Sequence, residues 1–418
     1  MRDRRAGHLG VAGRRLRTDV PASSMTRITN SLLETIARDR QAMVELTREL
    51  IAIPTENPPG SCYDDAIALL LARLGSLGFT DARRDGDCVL CFVGQGTRTL
   101  YFSGHYDVVP AQQREQFSPV IRGDAIVGRG SSDMKSGLAA MIFAARALQA
   151  CGVLEHGRVG LVFVPDEETA GPRGSRDLAA RGILGADGIG MLTPEPTEGV
   201  VWNANRGAIS LRATVRGKHA HVGRQHEGVN AFEGMLTIAE ALRELKREVE
   251  AHRTGFHIEP DAARHSILML GGRVDGGTNF NVVPDSCSFT IDRRLNPEED
   301  LEVEKRRLLD AIEQAARGTI QVEVEVLQEA RASGSDETGP LGRALAQNIR
   351  AVTGQSARFE MCPGLLEIRF YAERGLPAFA YGPGLLSVSH GPDELVPIER
   401  IVECAQIYAL TAADLLRS

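Results

Sequence analysis

Long apolar runs and excess positive charge are both missing from this sequence. No stretch of the 418 residues approaches the roughly 20 consecutive apolar residues that a membrane-spanning helix needs. The net charge is −7, and because residues 1–24 hold six Arg against two Asp, the rest of the chain carries a net charge of −11. A protein with this excess of negative charge repels nucleic-acid phosphates. The sequence therefore predicts binding neither to membranes nor to nucleic acids.

Cysteine is also scarce. The seven cysteines are an odd number in a long chain, which argues against a disulfide scaffold and for reduced thiols in the cytoplasm. Cys88 and Cys91 form a Cys-x-x-Cys pair, but no second pair lies at zinc-ribbon spacing, and the surrounding DCVLCFVG is typical of a strand. We interpret these two cysteines as structural thiols.

Two common enzyme motifs are absent. No Gly-x-Ser-x-Gly occurs, which disfavours a serine hydrolase of the nucleophile-elbow type, and no Gly-x-Gly-x-x-Gly occurs, which disfavours a Rossmann dehydrogenase.

Residues 1–24 are rich in arginine, and no apolar segment follows either Arg pair, unlike a secretory or twin-arginine signal. We expect these residues to form a disordered N-terminal extension.

The order of predicted elements indicates two domains, as the length also does. Helices are predicted over about 31–52 and 62–77, followed by the strands CVLCFVG and TLYFSGH, a helix beginning near Met134, and the apolar run GRVGLVFV. Apolar strands interleaved with helices are typical of a mostly parallel α/β sheet that is buried on both faces.

The pattern changes after residue 206. Alternating strands and amphipathic helices follow in the order strand, helix, strand, strand, helix, strand, which is a split βαβ arrangement. We therefore predict a first part of the catalytic domain at 25–206, an inserted α+β domain at 207–329, and a return to the first sheet at 330–418.

Acidic and imidazole side chains follow several of the predicted strands, at the edge where parallel α/β sheets bind ligands. They are His105, Asp107, Asp133, Glu167, Glu168, Glu195 and His390. Each has an ordinary structural alternative, such as a helix cap at Asp133 or a core histidine at His390. Carboxylates that converge at one sheet edge, however, repel each other unless cations lie between them.

The charges of this set balance if two divalent ions bind. Two ions bring four positive charges, while Asp133, Glu168, Glu195 and a bridging hydroxide bring four negative ones, and His105 and His390 add neutral nitrogen ligands. Mixed imidazole and carboxylate ligation suits Zn²⁺, with Co²⁺ or Mn²⁺ as alternatives. An Asp that bridges two ions is typical of dinuclear hydrolases.

Four motifs then occur in a known order, namely GHYDVVP, GRGSSDMKSG, DEETAG and SHGPDE. In these motifs, and from about residue 40 to the C-terminus, the chain resembles the M20 family of metallopeptidases and amidohydrolases, which includes deacetylases, desuccinylases, aminoacylases and carboxypeptidases. The resemblance implies a mostly parallel α/β catalytic domain with a dizinc site and an inserted ferredoxin-like domain for dimerisation.

The resemblance also implies a role for each site residue. Asp133 would bridge both ions, His105 and Glu195 would complete one ion's ligands, and Glu168 and His390 the other's. Asp107 would orient the His105 imidazole. Glu167 would be the general base, taking a proton from metal-bound water and delivering it to the leaving amine.

The inserted domain is implied to complete the site of a homodimer. The family pattern places His221 there as a donor to the developing oxyanion in the partner subunit's site, with His219 as the alternative. Asn281 and Arg294 would hold the substrate carboxylate, since a guanidinium fork suits a carboxylate. Arg293 should point the opposite way.

One segment departs from the family pattern. Where relatives read Gly-Thr-Ser-Asp-Ala-Arg, this chain reads GLLEIR, so Leu365 and Leu366 replace small hydroxyl residues and Glu367 replaces Asp, while Arg369 is retained as a substrate-binding residue. A hydroxyl contact to the substrate is lost. The resemblance therefore does not single out one acyl group.

Three hypotheses about function follow. The first is a cytoplasmic dinuclear amidohydrolase that removes an acyl group from an N-acyl amino acid. The second is a dipeptidase or exopeptidase that uses the same metal site. The third is a non-catalytic binding protein of this fold, which the pairing of a general base with a complete ligand set disfavours.

Overall fold

The computed structural model describes residues 22–318 and 320–417, so the predicted extension lies outside the described residues except for its last three, which belong to the first helix. Within these ranges the α-helices are α1 (Ala22–Arg38), α2 (Arg40–Ala52), α3 (Tyr63–Ser76), α4 (Ser136–Ala150), α5 (Ser175–Ala180), α6 (Ala231–Val249), α7 (Leu301–Ala316), α8 (Pro340–Thr353), α9 (Ile368–Ala372) and α10 (Ile398–Leu416).

The strands of the same ranges form three sheets. In chain order they are β1 (Arg83–Asp85), β2 (Cys88–Gly94), β3 (Arg98–His105), β4 (Val120–Arg122), β5 (Ala125–Val127), β6 (Gly157–Val164), β7 (Gly188–Thr193), β8 (Val201–Asn205), β9 (Gly207–Arg216), β10 (Ile267–Gly276), β11 (Ser286–Leu295), β12 (Gln321–Ala330), β13 (Ser333–Gly334), β14 (Phe359–Cys362), β15 (Ala378–Ala380) and β16 (Leu395–Pro397).

The first helical segment differs from its prediction. The helix expected over about 31–52 starts nine residues earlier and is divided into α1 and α2 at Asp39. It extends towards the N-terminus because Ile28 packs against the main core. At the break, the Asp39 side chain does not cap α2 but pairs with Arg146 of α4.

The large sheet is mainly parallel at its centre, as predicted. Its strands run β1-β2-β6-β3-β7-β15-β8-β13, with β14 beside β8, and the neighbours β6, β3, β7 and β15 are parallel. Leu100 and Phe102 of β3 face the core that α4 and α10 cover, whereas Tyr101 faces the core of α5 and α9. Burial on both faces explains why these strands read as unbroken apolar runs.

The segment from β9 to β12 forms a separate antiparallel sheet. Its strand order is β10-β11-β9-β12, and α6 and α7 pack on one face, which gives the predicted succession of strand, helix, strand, strand, helix, strand. β9 alternates between buried and partly exposed residues, as a strand with one face on a core should. The third sheet, β16-β5-β4, is small.

The parallel strands determine where the candidate site lies. β3 ends at His105, β6 ends three residues before Glu167, and β7 ends two residues before Glu195. Because these strands are parallel, their carboxyl ends meet at one edge of the sheet. None of the helices in residues 22–318 and 320–417 is long and apolar enough to cross a bilayer.

A close contact behind this edge gives a testable expectation. A Cβ at Gly137 in α4 would lie 2.6 Å from Pro194, the residue before Glu195, whereas a Cβ at Gly75 in α3 would meet no atom within 4 Å. We expect Gly137→Ala to lower the free energy of unfolding by about 1–3 kcal/mol through overpacking. Gly75→Ala, the matched control, should be neutral or raise it by up to about 1 kcal/mol.

Urea unfolding of both variants, freed of metal, measures the difference. Equal stability of the two variants would contradict the expectation, because it would show that Pro194 moves away without cost.

Candidate metal centre

His105 is held with one ring nitrogen towards the site. The residue is buried, and its Nδ1 lies 3.0 Å from the backbone oxygen of Asp107 and 3.4 Å from that residue's carboxylate. Since both neighbours are acceptors, we assign the proton of the neutral ring to Nδ1. Nε2, with its lone pair, then faces Asp133 Oδ1 at 3.1 Å.

Asp107 connects His105 to the loop after β6. Its carboxylate is buried and accepts hydrogen bonds from Asn57 Nδ2 at 2.8 Å and from the backbone nitrogens of Glu167 and Glu168, both at 3.3 Å. One carboxylate therefore orients an imidazole and fixes the backbone of the two adjacent acids.

Asp133 lies between two imidazoles. Its Oδ1 is 3.1 Å from His105 Nε2, and its Oδ2 is 3.2 Å from His390 Nε2. The same His390 nitrogen is 3.3 Å from Glu168 Oε2. Each of the two Asp133 oxygens thus faces a different histidine, which is the geometry that a bridging carboxylate needs.

The structure brings the five predicted ligands together in two groups that share Asp133. Within each group, every residue offers one ligand atom, and these atoms all lie within 4.8 Å of one another. The first group is His105, Asp133 and Glu195, and the second is Asp133, Glu168 and His390.

The donor atoms fit divalent cations. Glu195 is 5% exposed, and its buried Oε1 has no hydrogen-bond partner among the residues that the structure describes, although a buried carboxylate oxygen normally has one. A cation beside this oxygen would satisfy it. Imidazole nitrogen and carboxylate oxygen together are a donor set that suits Zn²⁺ and similar ions.

Burial raises the pKa of the glutamates in this cluster. It raises the pKa of Glu167 well above its usual range and that of Glu168 to about 7, in each case with a further increase from a neighbouring carboxylate. Hydrogen bonds that the His390 ring donates to the Asp133 and Glu168 carboxylates raise the pKa of His390 to about 10. Without cations, the cluster therefore binds protons in their place.

Glu167 lies beside the two groups without belonging to either. Its Oε2 is 3.9 Å from His105 Nε2. The preceding residue, Asp166, has a φ of 66° and is held by Arg173 at 2.9 Å and by the Tyr63 hydroxyl at 3.2 Å. These contacts fix the turn from which Glu167 projects.

Sequence reasoning did not identify Asn57 as part of the site. Its amide donates to Asp107 and, at 3.1 Å, to Thr169 Oγ1, so it joins the proline-rich loop IPTENPPG to the loop after β6. The sequence carries no signal for this contact beyond the unusual loop composition, because the two partners are 50 residues apart.

The residues predicted on the inserted domain are not brought to the two groups within one chain. His221 is exposed, its Nδ1 accepts a hydrogen bond from the Gly223 nitrogen at 3.2 Å, and no ion pair within residues 22–318 and 320–417 joins it to the cluster. His219 lies 3.6 Å from Asp285. Asn281 is half-buried, and its backbone oxygen accepts from Val222.

Arg294 is already paired within its own strand. Its Nε and Nη2 lie 2.6 and 3.1 Å from the two carboxylate oxygens of Asp292. Arg293 points to the other face of β11, where it is fully buried and pairs with Glu299 and Glu304.

Arg369 is buried within the protein. Its Nη1 donates to the Leu366 oxygen at 2.6 Å, and the guanidinium lies 4.3 Å from the centre of the Phe370 ring. Burial lowers the pKa of Arg369, against the opposing effect of Glu367, and burial also raises the pKa of Glu367 to about 7. This region contains the segment that departs from the family pattern.

Comparison with known proteins gives one family. Its model, described as peptidase family M20/M25/M40, matches residues 101–414. A succinyl-diaminopimelate desuccinylase from Bordetella petrii is 30% identical over 393 residues, which cover 90% of this chain and 98% of that protein.

Solved structures share the fold at lower identity. The aminopeptidase PepT from Bacillus cereus superposes with a TM-score of 0.71 at 20% identity, covering 90% of this chain and 98% of that one. A dinuclear metal-binding peptidase of the M20 family from Bacillus subtilis gives a TM-score of 0.68 at 16% identity, covering 91% and 99%.

The raised pKa values predict that metal binding releases protons. Glu168, with a pKa of about 7, and His390, with a pKa of about 10, must both be deprotonated to hold a cation. We therefore expect about one proton or more to be released per chain near pH 7, and the metal affinity to rise with pH.

Calorimetric titration with Zn²⁺ in two buffers of different ionisation enthalpy counts these protons. A variant of the exposed His257, His257→Asn, should release as many protons as the unmodified chain. Identical heats in both buffers would contradict the prediction.

Proposed function

Because the chain belongs to peptidase family M20/M25/M40, we propose that it is a dinuclear metal-dependent amidohydrolase that removes the acyl group from an N-acyl amino acid. The observation that carries this proposal is the pair of ligand groups that share Asp133. The relative from Bordetella petrii, named a desuccinylase, supports an acyl group as the part removed.

We propose Zn²⁺ as the resident metal, with Co²⁺ or Mn²⁺ as substitutes. The first ion would be held by His105, Asp133 and Glu195, and the second by Asp133, Glu168 and His390. When bound, the ions would polarise the scissile carbonyl and lower the pKa of the attacking water towards neutrality.

Glu167 is the general base in this proposal. It lies next to the ligands but outside both groups, so its carboxylate is free to take a proton from the attacking water and pass it to the leaving amine. Asp107 supports both parts of the site, since it orients His105 and accepts a hydrogen bond from the Glu167 backbone.

Recognition of the substrate is assigned to three residues. Arg294 and Asn281 would hold the substrate carboxylate, in which case that carboxylate shares the guanidinium with Asp292. Arg369 would also contact the substrate, from the segment GLLEIR that contains Glu367. Because Leu365 and Leu366 of this segment have no hydroxyl group, the segment would bind the acyl group without the hydroxyl contact that relatives make there.

We further propose a homodimer formed through an inserted domain at 207–329, between catalytic parts at 25–206 and 330–418. Support comes from the sheet of β9 to β12, whose strands pair only with one another among the described residues. Met269 and Val274 of the edge strand β10 expose 49% and 55% of their surface, which offers apolar area for a second copy.

His221 then acts on the partner's site. This role is supported by its exposure and by the lack, among the described residues, of a hydrogen bond or ion pair from His221 to the ligand groups of its own chain.

The proposed location is the cytoplasm. It is supported by the seven cysteines, all of which are free thiols in the structure.

The decisive experiment is a hydrolysis screen of the metal-loaded protein. N-acetyl, N-succinyl and N-formyl amino acids should be cleaved faster than dipeptides, and chelation should abolish turnover. Glu167→Gln should keep both ions and lower kcat by about 10²–10⁴-fold or more, because proton transfer fails. Glu168→Gln, the neighbouring control, should instead lose metal.

Other outcomes decide between the alternatives. Faster cleavage of dipeptides would favour the peptidase, and two bound ions without any hydrolysis would favour a binding protein. Turnover that is indifferent to chelator, or an exchange of the two variants' phenotypes, would contradict the assignment.

Mixing two inactive variants tests the shared site. Glu167→Gln and His221→Ala are co-refolded in equal amounts, so that about half of the dimers are mixed. In a mixed dimer one site carries both changes, while the other has an intact Glu167 and receives an intact His221 from its partner. About a quarter of the unmodified activity should therefore return.

Mass spectrometry confirms that mixed dimers are present. If His221 acts within its own chain, no site is restored and no activity returns. His219→Ala alone should remain active, because the exposed His219 is not required in this scheme.

A further inference from the structure

A buried ion pair lies between two loops that carry metal ligands. Arg129 and Glu394 are each 1% exposed, and Arg129 Nη1 donates to Glu394 Oε2. Arg129 precedes Asp133 in the motif GRGSSDMKSG, and Glu394 follows His390 in SHGPDE. Sequence reasoning identified both motifs but assigned neither residue a role.

Glu394 holds the backbone that leads to Asp133. Its Oε2 accepts from the Gly130 nitrogen at 3.0 Å, and its Oε1 accepts from the nitrogens of Ser132 at 3.0 Å and Asp133 at 2.9 Å. With Arg129, four donors therefore satisfy this one carboxylate. Because buried backbone N–H groups need acceptors, the position of Asp133 depends on Glu394.

Arg129 holds the backbone of the other ligand. Its Nη2 donates to the His390 oxygen at 3.1 Å and to Gln112 Oε1 at 2.8 Å, and Gln112 Nε2 donates to the same His390 oxygen at 2.9 Å. His390 has a φ of 64°, a conformation that residues other than glycine rarely adopt without support. Its side chain is 51% exposed, so packing does not fix it.

The first ligand group is supported differently. His105 is fully buried at the end of β3 and is oriented by Asp107, and Glu195 follows β7. Within residues 22–318 and 320–417, neither residue makes a hydrogen bond or ion pair with Arg129 or Glu394. Glu394 therefore supports Asp133, which both groups share, whereas Arg129 supports His390 of the second group.

We propose that Arg129 and Glu394 are positioning residues that set His390 against Asp133 and thereby make the second group able to hold its ion. This inference rests on the proposed function. It predicts that loss of the Arg129 hydrogen bonds to His390 weakens binding of the second ion much more than binding of the first. Residues that support metal ligands typically change metal affinity by about 10–100-fold when replaced.

The chain offers a matched control for a purely structural role. Arg293 of β11 and Glu304 of α7 form another buried ion pair, 2.9 Å apart, and neither belongs to a ligand group. A general loss of stability from breaking a buried pair should be the same at both places. Only the pair of Arg129 and Glu394 should change the ratio of the two metal affinities.

The experiment titrates Zn²⁺ into chelator-treated protein by calorimetry, with thermal unfolding recorded in parallel. Arg129→Lys should leave the affinity for the first ion within about 3-fold and weaken the affinity for the second by about 10–100-fold. Glu394→Gln should weaken the affinity for both ions, because it also frees the backbone of Asp133, which both groups share. Gln112→Ala, a change at an exposed residue, should also weaken the affinity for the second ion, but by a smaller factor. Glu304→Gln should lower stability and bind both ions as the unmodified chain does.

The outcomes separate this inference from the proposed function. If the unmodified chain binds two ions and neither Arg129→Lys nor Gln112→Ala changes the ratio of affinities, the inference is wrong and the metal centre stands, even where Glu394→Gln fails to fold. Equal weakening of the two metal affinities by Arg129→Lys would also overturn it. If the unmodified chain binds no ion, the proposed function and the inference fall together.

Discussion

The site depends on one carboxylate that faces two imidazoles. Asp133 lies 3.1 Å from His105 and 3.2 Å from His390, so each of its oxygens belongs to a different ligand group. A carboxylate in this position joins two sets of donors that come from distant parts of the chain. Every other feature of the site either supplies a donor next to Asp133 or fixes the backbone that presents one.

Backbone hydrogen bonds, more than packing, fix these donors. Asp107 accepts from the nitrogens of Glu167 and Glu168, and Glu394 accepts from the nitrogens of three residues around Asp133. Both carboxylates are buried. A loop whose N–H groups bind one rigid acceptor has little freedom, so loops at the edge of the sheet can hold ligands without regular secondary structure.

The buried glutamates of the site need positive charge beside them. Burial raises the pKa of Glu167, Glu168 and Glu195, which means that the protein itself provides too little positive charge for them. Divalent cations would supply that charge. The buried, unpartnered Oε1 of Glu195 points to the same deficit, and it is geometric evidence that is independent of any titration.

The sequence by itself determined most of the elements and the chemical types of the proposed ligands. The apolar run of β6 and the alternation of β9 follow from whether one or both faces are buried, and that information is local. The motifs around His105, Asp133 and His390 indicated which side chains could supply donor atoms to metal ions. Tertiary structure alone decided three other features. They are the division of the first helix at Asp39, the hydrogen bond from Asn57 to Asp107, and the ion pair of Arg129 and Glu394, which are 265 residues apart. These contacts join segments far apart in the chain, so no local pattern in the sequence can indicate them. The last two lie at the edge of the sheet where the carboxyl ends of the parallel strands meet.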